Sequence, residues 1–162
     1  MIQRTDRRYG PDARDRLAEA YQPTDEGARA VLESFYYSLN QCDESVLRQV
    51  WSTDPLAQLN NPLGGILHGG DAIAELYGRV LHGKVRVSVT LGDIVEYLDA
   101  DHAVFTGRET GSYRTAQGAD VPLSIRTTRY FRFANGRWWQ YHHHGSIDDP
   151  AALAAYQQVV TG

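Results

Sequence analysis

A single cysteine, Cys42, in 162 residues rules out an internal disulfide framework and fits a reducing compartment. No apolar run is long enough for a membrane helix. Arg4, Arg7 and Arg8 near the N-terminus lead into no apolar segment, which argues against a secretory leader. Charge of one sign is also lacking: 16 Lys and Arg against 20 Asp and Glu leave a net charge of −4, with the basic residues scattered. That pattern offers no electrostatic footprint for nucleic acid. Internal repeats and low-complexity tracts are absent. The expectation is a cytoplasmic protein with neither a nucleic-acid nor a membrane partner.

What is present is enough apolar residue, 42%, to build one real core in a chain of this length. Residues 1–23 are charged and broken at Gly10-Pro11, and read as an N-terminal arm with a short helix within Asp12 to Tyr21. Residues 24–162 read as a single domain. Thr24 or Asp25 caps a helix whose apolar face is Ala28, Val31, Leu32, Phe35 and Leu39. Asp43 caps a second, with Val46, Leu47, Val50 and Trp51 inward, stopped at Asp54-Pro55. A small strand is expected around Ala57 to Leu59. A third helix starts at Asp71, with Gly83 as its left-handed stop.

From Val85 the period becomes two. Strands are expected from Val85 through Tyr97, His102 to Arg114, Val121 to Phe133 and Arg137 to Ile147. Asn135-Gly136, both tolerant of positive φ, makes the last hairpin. Asp148-Asp149-Pro150 opens a final helix, with proline where its missing N–H costs nothing. Helices followed by a long antiparallel meander predict an α+β fold: three N-terminal helices on a curved antiparallel sheet, plus a short C-terminal helix.

The run Thr128-Arg129-Tyr130-Phe131-Arg132-Phe133-Ala134-Asn135-Gly136-Arg137-Trp138, with His142-His143-His144-Gly145-Ser146, resembles the terminal hairpin of SnoaL-like domains and of the calcium/calmodulin-dependent kinase association domain. Leu39-Asn40 through Asp43, Asn61-Pro62-Leu63-Gly64 and Gly70-Asp71-Ala72-Ile73 are similar, in that order, to ketosteroid-isomerase-like members. The resemblance spans Thr24 to Ser146 and implies the cone-shaped fold of the nuclear-transport-factor-2-like (NTF2-like) superfamily. Such folds carry isomerases, dehydratases, cyclases and hydrolases as well as purely binding domains, so the fold does not fix the function.

The resemblance implies positions for the isomerase apparatus, and this sequence departs at each. The base falls at Asn61, which has no proton-accepting pKa in range. The oxyanion tyrosine falls at Phe35, with Tyr36 beside it, and the protonated acid falls at Arg129. The kinase association domain instead implies a cavity arginine at Arg129, a second at Arg108, and a third at a position occupied by Gly145. A guanidinium in an apolar cavity suits a carboxylate-like ligand. The competing account is an internal ion pair of Arg129 with Glu109 or Glu96.

Strand alternation assigns Leu123, Ile125, Thr127, Arg129 and Phe131 to the inner face, joined by Trp139, Tyr141 and His143. The candidate ligand-binding set is therefore Arg129, Arg108, Asn61, Tyr141, His143, Tyr36 and Trp51. His143 is also the candidate general base, against the alternative of a histidine hydrogen-bonded in the wall. Arg126, Thr128, Tyr130, Arg132, Gln140, His142 and His144 fall on the outer face. Of these, Arg126, Thr128, Tyr130, His142 and His144 form the candidate homodimer interface. His142 and His144 point the same way, but no third ligand is in view, so no metal and no cofactor is assigned. A metal-dependent enzyme using that pair stands as a minor alternative. The leading functions are a cavity for a small polar or anionic ligand, with chemistry of lyase, isomerase or cyclase type if turnover occurs, or a non-catalytic dimerisation module.

Overall fold

In the computed structural model, which describes residues 1–161, Thr24 caps the first helix as its chemistry requires: its hydroxyl accepts from the Gly27 N–H at 3.2 Å. This helix, α1 (Asp25–Gln41), buries Val31, Leu32, Phe35 and Tyr36 and ends on Cys42 in a left-handed conformation, φ 57°. Asp43 caps α2 (Glu44–Val50) through the Val46 N–H at 3.0 Å. Helix α3 (Gly70–Leu81) ends two residues before the expected glycine stop at Gly83. His82 closes it by donating to the Gly78 carbonyl, and Gly83 does not take positive φ. Helix α4 spans Pro150–Thr161.

The strands are β1 (Ile2–Thr5), β2 (Gln58–Asn60), β3 (Ile66–His68), β4 (Arg86–Leu98), β5 (His102–Arg114), β6 (Asp120–Ala134) and β7 (Arg137–Ser146). Among the described residues they form one open sheet in the order β1-β4-β5-β6-β7-β2-β3. All neighbours are antiparallel except β2 with β7, which run parallel. Asn135 and Gly136 take φ of 53° and 80° in the β6–β7 turn, as the hairpin reading demands.

Two irregularities bend the sheet. In β4 the register shifts between Gly92 and Val95, where Asp93 adopts φ 50°. In β7 it shifts so that Phe131 faces Gln140 while Tyr130 faces His142, leaving Tyr141 as the extra residue of a bulge. The bulge reverses the parity of β7. Trp138 and Gln140 are buried before it, His143 and Gly145 after it. Trp139 and Tyr141 therefore lie on the outer side, against the simple alternation, and Gln140 lies inside.

The segment before α1 is more ordered than an arm with one short helix. β1 pairs with β4, Tyr9 exchanges both backbone hydrogen bonds with Leu91 (3.1 and 2.8 Å), and a 3-10 turn occupies Leu17–Tyr21. Further along the same β4 edge, the Asn40 side chain accepts from the Val89 N–H and donates to its carbonyl, both at 3.1 Å. Beneath β1, Arg29 and the fully buried Glu96 form a two-pronged ion pair at 3.0 and 2.7 Å, joined by Gln3. Burial works to raise the Glu96 carboxyl, but Arg29 and Gln3 hold it below the usual range. No helix among the described residues is long and apolar enough to cross a membrane.

Candidate functional site

Inside the curve of the sheet lies a cavity of about 70 Å³. Alternation on β5 and β6 sends Glu109 and Arg129 inward, and the bulge in β7 brings His143 to the same side, directly opposite Arg129 in the register. Helix α1 supplies Phe35, α3 supplies Tyr77, the turn after β2 supplies Asn61, and α4 supplies Tyr156.

The polar centre is a buried triad. Glu109 Oε1 accepts from the Tyr36 hydroxyl at 2.7 Å and from Arg129 Nη2 at 2.9 Å, while Arg129 Nε donates to the Tyr36 oxygen at 3.0 Å. The guanidinium sits 3.6 Å over the Phe35 ring, and Tyr9 stacks behind Tyr36 with 6.4 Å between centroids. Burial alone would lower the Arg129 pKa; Tyr36 and Glu109 outweigh it and the net shift is upward. Burial pushes the Tyr36 phenol well up and that of Tyr77 to about 12, so both stay protonated donors at neutral pH. Glu96 is committed to Arg29, so Glu109 is the acid that meets Arg129.

The triad leaves valences over. Among the described residues Arg129 Nη1 is buried and makes no hydrogen bond of full geometry, although the Tyr77 phenol lies close enough to the guanidinium for a weak one. Both ring nitrogens of His143 are likewise buried and unpartnered. Burial first, then the Arg129 charge, holds the His143 imidazole well below its usual pKa, so it is neutral, with one donor and one acceptor nitrogen. Glu109 Oε2 makes no hydrogen bond, and Glu109 lines the cavity. Asn61 accepts from the Leu63 N–H at 2.8 Å, which fixes its side chain at the cavity wall. At Gly145 a Cβ would come within 3.2 Å of His143 Nε2, so a larger residue there would crowd the imidazole.

Of the expected ligand set, Arg129, Asn61 and His143 line the cavity, and Tyr36 stands just behind it. Three others do not join them. Arg108 points outward, donating to Ser124 at 2.9 Å and pairing with Asp148 at 3.4 Å ahead of α4. Tyr141, displaced by the bulge, lies on the outer face with Tyr130 at 6.4 Å and Arg132 at 5.8 Å. Trp51 is buried beyond Tyr77, 6.3 Å away, outside the lining. From the sequence, Glu109 stands only as an ion-pair partner of Arg129 and Tyr77 has no place in the site; the inward phase of each is the available signal.

On the outer face, Arg126 and His144 are exposed, and Thr128, Tyr130 and His142 are half-buried. Tyr130 shares a hydrogen bond of 2.7 Å with His102, and His142 Nδ1 donates to the Gln58 carbonyl at 2.9 Å. The rings of His142 and His144 are 6.5 Å apart, but no cluster of three metal-ligating side chains exists among the described residues. The metal-dependent alternative lacks its third ligand.

The family model for the SnoaL-like domain matches residues 28–150. Among solved structures, the chain is similar to a ketosteroid isomerase-like protein from Erwinia carotovora atroseptica, at 20% identity and TM-score 0.64, over 76% of this chain and 95% of the other. An NTF2-like superfamily protein from Salmonella enterica serovar Typhimurium matches at 23% identity and TM-score 0.60, over 80% and 92%. A protein from Xanthomonas campestris named for the calcium/calmodulin dependent kinase II association domain matches at 18% and 0.64, over 75% and 86%. At these identities the likeness is one of fold. No curated protein matches the sequence at a significant level. The match over residues 28–150, together with the curved sheet and its covering helices, makes this chain a member of the SnoaL-like domain family on the NTF2-like fold.

Proposed function

We propose that the chain binds a small polar molecule in the inner cavity and holds its oxygen between Arg129 Nη1 and His143. One observation carries this reading: among the described residues these buried groups make no hydrogen bond of full geometry, and leaving each unmatched costs about 1–3 kcal/mol. Glu109 already offsets the Arg129 charge, which favours an uncharged carbonyl, amide or hydroxyl head over the carboxylate suggested by the arginine alone. The same set supports proton transfer of lyase or isomerase type: Arg129 polarises a carbonyl while neutral His143 or Glu109 Oε2 takes a neighbouring proton.

The test is an NMR titration of the His143 ring signals with acetamide, acetone and acetate. Acetamide and acetone should shift them saturably, with acetate weaker. Absence of any shift, or equal shifts in a folded Glu109→Leu/Arg129→Met double variant, would overturn the reading.

A second reading concerns the outer face and is compatible with the first. Exposed Arg126 and His144 border a shallow depression of about 350 Å³ with Thr106, Thr128 and Ser146, beside the Tyr130–Tyr141 cluster. A second copy of the chain packed there would bury this aromatic and histidine-rich surface. Sedimentation of Arg126→Glu and His144→Glu should show monomers; unchanged dimers would sink this interface.

A further inference from the structure

An apolar groove of about 310 Å³ runs beside the polar cavity, between α3, the start of β4 and α4. Leu76, Val85 and Val160 line the groove alone, whereas Leu63, Val80, Val87 and Tyr156 line both spaces. The two compartments therefore lie side by side across a wall built from these four side chains. Helix α4 supplies part of that wall: the buried Tyr156 ring packs against Tyr113 at 4.8 Å between centroids, and Gln157 donates to the Leu63 carbonyl at 2.7 Å. Arg79 and Lys84, both exposed, border the groove.

The inner cavity of about 70 Å³ has room only for a small head group, and the larger space beside it has no buried unpartnered polar group in its lining. We infer that the ligand is amphipathic: an uncharged carbonyl-type head at Arg129 and His143, and an unbranched or flat apolar body lying in the groove under α4. This rests on the head-group reading above, and it makes a separate claim about the rest of the molecule. Binding strength should come mainly from the body, because a burial of apolar surface adds with each carbon while the head group contributes a fixed amount.

The experiment is calorimetric titration with primary n-alkylamides, from acetamide up to octanamide. Affinity should rise about fourfold per methylene until the groove is filled. Val85→Trp, on the half-buried rim, should flatten the rise while acetamide, confined to the inner cavity, still binds. Acetamide binding with no gain along the series, or a gain that survives Val85→Trp, overturns the amphipathic ligand and leaves the head-group site standing. A rise retained in the Glu109→Leu/Arg129→Met variant keeps the groove and removes the head-group assignment. No binding by any member overturns both.

Discussion

Arg129 and Glu109 are an ion pair taken almost wholly out of water, with side chains 1% and 4% exposed. For such a pair, desolvation consumes much of the Coulomb gain, so its presence says less about stability than about what the site must do. Removing one partner is a different matter. Arg129→Met strands the Glu109 carboxylate and should cost about 3–5 kcal/mol in chemical denaturation, whereas Glu109→Leu/Arg129→Met together should recover most of the loss. His143 gives a second test. Its folded pKa lies well below 6.5, so below that pH the unfolded chain takes up a proton that the folded chain refuses. Stability should fall as pH drops from 6.5 towards 5, by up to about 1.4 kcal/mol per unit, and should be flat above 6.5 for this group. His142, lowered by burial in the same direction, adds a smaller slope. His143→Gln should leave only that remainder, read from denaturation midpoints at the two pH values.

At the scale of elements, placement of α3 depends on a close approach that only glycine permits. A Cβ on Gly70 would lie 1.9 Å from the Ser52 carbonyl oxygen, a backbone atom with nowhere to go. Gly70→Ala should therefore destabilise by about 1–3 kcal/mol despite the better helix propensity of alanine, measurable as a lowered melting temperature. The helices and long strands were legible because each carried its own local signals: Thr24 and Asp43 as caps, Asn135-Gly136 as a turn, a period of two on β6. Arg129 was legible as an inward residue for the same reason. Tyr141 was not, because a bulge is specified by how two strands meet and leaves no mark in the alternation of one of them. Arg108 was carried inward by resemblance, while its own even position already set it opposite Arg126 on the outer side. β1 and β3 are four and three residues long, too short for any period to show.

At the scale of the molecule, β4 is the exposed flank of an open sheet, 13 residues long and partnered on its outer side by a strand of four. Two further positions are met piecemeal, Leu91 by the Tyr9 backbone and Val89 by the Asn40 amide. Asn40→Ala would free the Val89 N–H and carbonyl, and should raise the rate of aggregation in quiescent incubation, followed by light scattering, with little change in the cavity residues' NMR signals. The patching has a consequence for how copies of this chain meet. An unbroken flank of this length would recruit another chain by strand addition, an open-ended contact that grows into fibres. Interrupted by a tyrosine and an asparagine, it is a poor template of that kind, whereas the contact proposed above for the broad side of the sheet would be twofold, closing on itself and stopping.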